Sequence, residues 1–300
     1  MSLIETARLT KKYNGNAAVD TVSLSIREGV CTALLGPNGA GKTTTLNMLT
    51  GLIKPTEGEI DFNKNYAGDR RKHIGYLPQY PKFYGWMTGE EYVSFSAELA
   101  GLSKKKAKES TNKMLSLVGL EEDRRKKVSG YSGGMKQRLG IAQALVHEPK
   151  LVILDEPVSA LDPIGRREIL ELMKTLKQHT SILFSTHVLH DAEEVSDDIF
   201  IMKKGKIIIE GGLSELQQKY QQPAFFIETE KAMDNWLSSI NEKSWVRQSK
   251  LDKKKLTLTV EEVDTARDAL LKDPMLHKLK LLKFEVAKTS LEDLFMKVMR

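Results

Sequence analysis

The sequence holds one cysteine, no second copy of any of its motifs and no long apolar run. Each absence removes a class of protein. Cys31, in a short apolar segment, cannot close an internal disulfide and reads as a small core residue of a reducing compartment. No stretch approaches the roughly 20 apolar residues that cross a bilayer, and residues 1–9 lack a signal-peptide core. A soluble, non-exported chain of a bacterial cytoplasm is the expectation. No heptad is sustained, so a long coiled coil is not expected. The basic runs at 104–108 and 124–127 contain no interleaved aromatic residue, which argues against a stacking surface for nucleic acid. They contribute much of a net charge of +6 and suit either a solvated helical face or an anionic membrane surface. With 300 residues, 40% of them hydrophobic, the chain has ample core for one large domain or two.

What is present centres on GPNGAGKT at 36–43. Gly36, Gly39 and Gly41 leave room for backbone N–H groups to turn inward around an anion, and Lys42-Thr43 opens a helix. The apolar run 31–35 before it has β character, while Leu46, Leu49 and Leu52 after it share one helical face. A helix N-terminus carries about half a positive charge, so the cradle favours phosphate before any side chain acts. Lys42 adds a full charge for the β- and γ-phosphates, and the Thr43 hydroxyl is placed to ligate Mg²⁺. Asn38 and Thr44 fall inside the same nucleotide-binding stretch.

The second centre is LVILDEP at 151–157. Four consecutive apolar residues read as a central parallel strand, and two acids stand at its carboxyl end, where open α/β sheets bind ligands. Asp155 is placed to orient a Mg²⁺ shell and Glu156 to reach a water beside the γ-phosphate. An isolated Asp-Glu pair is more commonly a helix cap. Behind a phosphate loop and before Pro157, the catalytic reading is preferred.

Together with Gln79 in YLPQ, YSGGMKQR at 131–138, SALD at 159–162 and Ser185-Thr186-His187, these segments stand in an order that resembles the nucleotide-binding domain of ABC ATPases, over residues 2–215. The resemblance implies a P-loop α/β domain with a helical subdomain at about 80–145 and ATP with Mg²⁺ as cofactors. It also implies roles. Tyr13 looks like the aromatic that stacks on adenine, and Gln79 like the glutamine that touches Mg²⁺ and the attacking water. Glu156 looks like the general base, and His187 like the histidine that hydrogen-bonds the γ-phosphate. Ser132, Gly133 and Gly134 resemble the segment that closes over the γ-phosphate held by a second subunit, and Asp162, with Ala160 and Leu161, the loop linking the two sites. One copy of each motif then implies a dimer. Two positions depart from the commoner pattern: Tyr131 replaces a leucine and Met135 a glutamine.

Residues 88–99 and 104–118 have helical periodicity, and Phe83, Tyr84, Trp86 and Met87 precede them in a loop. The resemblance places that loop in a groove for a coupling helix of a membrane permease; packing within the subdomain is the alternative. Residues 63–72 are polar and charged, as in an abbreviated hairpin. After a linker at 221–223, residues 224–300 read as a small α+β, ferredoxin-like appendage, with a domain boundary at 220. Strands are expected at 224–229, 256–260 and 279–286, with 245–246 also extended, and helices at 233–240, 263–271 and 290–298, the last capped by Ser290. The closing SLEDLFMKV resembles the tail of exporter ATPases of the antibiotic-resistance, lantibiotic-immunity and sodium-extrusion groups.

The sequence is thus expected to be the ATPase subunit of a bacterial ABC exporter, held at the inner face of the cell membrane by a separate permease and paired with a second ATPase subunit. No nucleic-acid partner is expected. The alternative is a soluble ABC ATPase that remodels nucleic acid or ribosomes, but such proteins usually carry two ATPase domains or a long coiled coil. A phosphate-loop kinase would leave YSGGMKQR and His187 unexplained.

Overall fold

The computed structural model describes residues 1–66, 68–159, 161–220, 223–287 and 290–299. Its contacts divide the chain into two units, Met1–Leu213 and Ser214–Val298. The first begins with β1 (Ser2–Tyr13), β2 (Asn16–Arg27), β3 (Cys31–Leu35), α1 (Lys42–Leu49), β4 (Glu57–Phe62) and β5 (Ile74–Leu77). Helices α2 (Gly89–Leu99), α3 (Lys104–Leu117) and α4 (Gly133–Leu145) follow. It closes with β6 (Leu151–Asp155), α5 (Pro163–Leu176), β7 (Ser181–Thr186), α6 (Leu189–Val195), β8 (Asp198–Lys203) and β9 (Lys206–Gly212).

Every residue of β3, β6 and β7 is buried, as strands covered on both faces must be. They form the centre of a sheet ordered β5-β6-β7-β3-β8-β9, parallel except for β9, which returns on β8 through Lys204-Gly205. Both turn residues have positive φ, 48° and 80°, as a two-residue hairpin turn that matches strand twist requires. A second, antiparallel sheet has the order β2-β1-β4. One apolar core joins Leu3, Ile4 and Ile26 of that sheet, Leu46 and Leu49 of α1, and Ile153 and Leu183 of the parallel sheet. Leu52 does not join it: α1 ends at Leu49, and Leu52 is 63% exposed beyond the helix, so the expected three-leucine face holds only its first two members.

The hairpin expected over 63–72 is not formed. β4 pairs with β1 and β5 with β6, so the flanking strands enter different sheets, and a 3-10 turn, Arg70–His73, lies between them. Asp69 caps that turn by accepting from the Arg71 N–H.

The helices between β5 and β6 begin where their caps dictate. Thr88 and Glu91 form a reciprocal capping box on α2, Ser103 caps α3, and Ser132 caps α4 by accepting from the Met135 N–H at 3.2 Å. Arg124 ties the loop after α3 to Glu90 on α2 at 2.6 Å. Tyr131 is buried, and its hydroxyl donates to the Asp123 carbonyl at 2.8 Å. A Cβ at Gly89 would lie 2.3 Å from that hydroxyl, so the tyrosine occupies the space that a side chain at Gly89 would need. The larger residue in the signature is thus matched by a residue without a side chain.

The second unit contains α7 (Leu213–Lys219), β10 (Ala224–Thr229), α8 (Asp234–Asn241), β11 (Val246–Asp252), β12 (Lys255–Val260), α9 (Val263–Leu271), α10 (Pro274–Lys278), β13 (Leu281–Val286) and α11 (Leu291–Met299). The division after Leu213 puts most of α7 with this unit, ahead of the boundary expected at 220; Gln221 and Gln222 of the expected linker lie outside the described residues. The sheet is antiparallel in the order β11-β12-β10-β13. From β10 onward, the β-α-β-β-α-β succession with its first strand between third and fourth is the ferredoxin-like arrangement. Alternate residues Phe225, Ile227, Leu256 and Leu258 face a core with Trp236 and Ile240 of α8 and Leu270 of α9. Asp273-Pro274, expected only to stop α9, also starts α10, because Pro fits a first helical turn. Ser290 and Asp293 exchange backbone-to-side-chain bonds at the start of α11, both at 3.1 Å.

Candidate functional site

Three adjacent strands, in the order β6-β7-β3, bring their carboxyl ends to one edge of the parallel sheet. The residues that follow them are Asp155-Glu156, His187 and the phosphate loop. Register fixes this: Asp155 pairs with Ser185, and Leu35 with Thr186. Gln79 lies two residues past β5, the neighbour of β6, and is partly buried.

The loop leading into α1 is held from behind. Gly41 has φ 106°, and a Cβ there would stand 2.5 Å from the Ala18 carbonyl of β2, so only glycine allows this approach. Lys42 is 6% exposed and turns back into the loop: its Nζ donates to the Gly36 carbonyl at 2.8 Å and stands 3.6 Å from Glu156 Oε1. His187 Nδ1 lies 2.8 Å from Glu156 Oε2 and 3.0 Å from Oε1. Glu156 therefore sits between two nitrogens, buried itself, while the His187 side chain is 47% exposed. Its φ of 51° is a left-handed conformation uncommon for a residue with a side chain.

Asp155 is fully buried. Ser185 Oγ donates to its Oδ1 at 2.5 Å and accepts the Glu156 N–H at 2.9 Å, whereas Asp155 Oδ2 has no hydrogen-bond partner among the described residues. Tyr76 donates to Asn47 Oδ1 at 3.0 Å; burial, and then the Asp155 charge, push its phenol well above the ordinary range, which keeps it a donor. Thr186 Oγ1 accepts from the Val188 N–H at 3.0 Å and fixes the backbone around His187.

The structure brings Lys42, Asp155, Glu156 and His187 together, with Thr43 and Thr44 in the first turn of α1 and Asn38 and Gly39 on the exposed lip of the loop. Tyr13 lies at the β1–β2 turn, half exposed, with the Lys11 ammonium 5.4 Å from its ring centre; the same hairpin touches Gly41 through Ala18. Ser132, Gly133 and Gly134 form the start of α4, the first two exposed and Gly134 partly so, and Leu161 is the nearest side chain to a Cβ built at Gly133. Asp162 caps α5 by accepting from the Gly165 N–H at 2.8 Å; Ala160 lies outside the described residues. Ser185 and Tyr76 stand inside the quoted motifs without an assigned role, and Asn47 stands outside them. The only sequence signal for Ser185 is a hydroxyl ending an apolar strand beside the strand that carries Asp155.

On α5, Arg166 donates from two nitrogens to Asp191 Oδ1 of α6, at 2.6 and 2.8 Å, and Asp191 is fully buried. The expected aromatic cluster divides in two. Tyr84 and Trp86 are exposed, Trp86 by 71%, whereas Met87 is buried and Phe83 packs edge-on against Tyr92 at 5.2 Å. Tyr80 adds a third exposed ring in the same loop.

Residues 19–159 match the family model for ABC transporters, and residues 211–299 that for the C-terminal domain of DrrA1-3-like ATP-binding proteins. The chain is 50% identical to an uncharacterized ABC transporter ATP-binding protein, YxlF, of Bacillus subtilis, over 97% of both chains. It is 39% identical to the bacitracin transport ATP-binding protein BcrA of Bacillus licheniformis, over 73% of this chain and 72% of that protein. A dimeric post-hydrolysis structure of the ATP-binding cassette MJ0796, bound to ADP and phosphate, superposes with a TM-score of 0.63 at 28% identity, over 70% of this chain and 99% of the other.

Proposed function

This chain belongs to the ATP-binding subunits of ABC transporters, and on that premise we propose that it powers export through a separate permease as one half of a head-to-tail ATPase dimer. It is an ATP hydrolase with the P-loop ABC ATPase fold. The observation that carries the catalytic reading is Glu156, buried between Lys42 and His187 at the ends of three adjacent strands.

Each residue in the cluster has a role in this reading. Lys42, now bonded to its own loop, turns to the β- and γ-phosphates, which offer a stronger partner than a neutral carbonyl. Losing that contact frees Glu156 to take a proton from the attacking water, and His187 holds the carboxylate in place and reaches the γ-phosphate. Tyr13 stacks on the base. The donor set fits a nucleotide-borne Mg²⁺, which takes few protein ligands beside phosphate and water: Asp155 has a buried oxygen without a partner, with Thr43 and Gln79 beside the same edge. When bound, that ion would supply charge for the leaving phosphate oxygens.

Ser132, Gly133 and Gly134 are assigned to the γ-phosphate of the second subunit, and Asp162 to the passage between the two sites. The dimeric neighbour structure supports pairing of two such subunits. Transport is supported by the likeness to the bacitracin transport ATP-binding proteins, and the exposed Tyr80, Tyr84 and Trp86 are assigned to the permease. Among the described residues no helix is long and apolar enough to cross a membrane, so a peripheral place on the cytoplasmic face comes through that partner. In the basic run at 124–127, Arg124 and Lys126 are paired with Glu90 and Asp123.

The test is Glu156→Gln. Hydrolysis should fall on the order of 10²–10⁴-fold while ATP still binds, as loss of a general base requires. With ATP, the tagged variant should bring a polytopic permease out of a membrane extract in near-equal amount. Unchanged turnover would remove Glu156 from its role, and recovery of ribosomal protein or nucleic acid instead of a permease would overturn the transport reading.

A further inference from the structure

The catalytic cluster rests on a side chain with no role in the account above. Ser185 has no exposed surface, and its hydroxyl makes two bonds that face the chemistry: it donates to Asp155 Oδ1 and accepts the N–H of Glu156. We propose that Ser185 is a positioning residue for ATP hydrolysis, orienting the Asp155 carboxylate towards the nucleotide-borne divalent cation and clamping the backbone of Glu156. The proposal rests on the assignment of Asp155 and Glu156 under the proposed function.

The geometry supports it from three sides. First, a carboxylate turns easily about its last bond, because sp³–sp² torsions have broad wells. One short hydrogen bond to Oδ1 stops that rotation and leaves Oδ2 as the oxygen without a partner, buried at the carboxyl edge of the sheet. Second, a serine hydroxyl has one proton to give. Since Asp155 takes it, the Glu156 N–H meets a lone pair, and the chain Glu156 N–H to Ser185 O–H to Asp155 has a single direction, each bond polarising the next. Third, Glu156 adopts a left-handed conformation at φ 51°, which a side-chain-bearing residue keeps only when its surroundings hold it. The bond from its own N–H to Ser185 is such a hold.

Ladder register makes the bridge specific to this position. Asp155 and Ser185 are partners on adjacent strands, so their side chains share a face of the sheet. The neighbouring Thr186 points its hydroxyl elsewhere, to the Val188 N–H. Without the Ser185 hydroxyl, a buried carboxylate oxygen and a buried N–H would each lose the partner they have here.

The experiment compares Ser185→Val with Ser185→Thr, which exchange a methyl for a hydroxyl at nearly constant shape, and runs Ser185→Ala beside them because it adds no volume. The full chain is used throughout. Two readouts are taken: steady-state ATP hydrolysis, and the Mg²⁺ concentration at which a fluorescent non-hydrolysable ATP analogue reaches half of its metal-dependent tightening. Groups that orient a metal ligand typically matter on the order of 10–100-fold. Ser185→Val and Ser185→Ala should lower kcat by that amount, leave the KM for ATP nearly unchanged, and raise the Mg²⁺ midpoint in parallel. Ser185→Thr should restore both, with all three variants folded at the assay temperature by thermal melting. Wild-type kcat and Mg²⁺ midpoint in both hydroxyl-free variants would overturn the proposal, as would equal losses in the threonine and valine variants. Asp155→Asn separates the levels. A shifted midpoint there with none in Ser185→Ala removes only the role of Ser185, whereas an unshifted midpoint in Asp155→Asn removes the metal assignment and the proposal with it.

Discussion

Two stretches of the first unit are assigned to phosphate, and they are built in opposite ways. The ends of β6, β7 and β3 carry Lys42, Asp155 and Glu156, all buried, with Lys42 3.6 Å from Glu156 and the half-exposed His187 bonded to it. At the start of α4, Ser132 and Gly133 are exposed, and the Ser132 hydroxyl accepts from the Met135 N–H of its own helix. The first arrangement stores its charge internally until a ligand displaces it. The second has free N–H groups and open space, as a surface that meets another subunit needs.

The largest expected break in that comparison is Gly134→Asp. Nothing lies within 4 Å of a Cβ at this position, so the variant should fold. An acid in a first helical turn should even add about 0.3–1 kcal/mol to α4. It should nevertheless abolish hydrolysis and ATP-dependent dimerisation while leaving ATP binding by one subunit intact, measured by analytical ultracentrifugation and nucleotide titration. Retained activity would show that α4 does not meet phosphate. On the buried side, Lys42→Ala should act in the other order, weakening ATP itself. Loss of one charged contact of about 2 kcal/mol corresponds to roughly thirtyfold in Kd by calorimetry.

Tyr131 sharpens the comparison by separating support from contact. Tyr131→Leu should cost about 2–3 kcal/mol in denaturant unfolding through lost volume and a lost hydroxyl bond. Adding Gly89→Ala should recover part of that loss, because the space opened is the space a Cβ at Gly89 needs. Strict additivity of the two would disprove the match. The smallest effect is expected at His147, whose Nε2 lies 3.3 Å from the Ile74 carbonyl of β5. Burial holds this imidazole below its ordinary value, partly offset by that bond. With the folded value depressed, the native state resists a proton that the unfolded chain accepts, so its stability is complete above about pH 6.5 and declines as pH falls below it. His147→Gln should flatten the decline between pH 7 and 5 by about 1 kcal/mol or less in chemical unfolding.

Much of the first unit was readable because its signals are local. A wholly apolar run ending in two acids and a glycine loop opening a helix each combine type and position within a few residues. Two of the failures are non-local and one is local. Nothing near residues 63–72 tells β4 to pair with β1 and β5 with β6, a choice made by partners distant in sequence. Leu52 keeps helical spacing but falls after Gly51, whose φ of 78° ends the helix. Ser185 reads as one more residue of a buried strand until register sets it opposite Asp155.

The bond between Arg166 and Asp191 has a mechanical consequence. Asp162 begins the helix that carries Arg166, and His187 stands just before the helix that carries Asp191. Separating the two would strand a carboxylate with no exposed surface, which opposes their parting. The two helices therefore form one yoke: a push delivered to the loop at Asp162 swings the mounting of His187 by the same stroke.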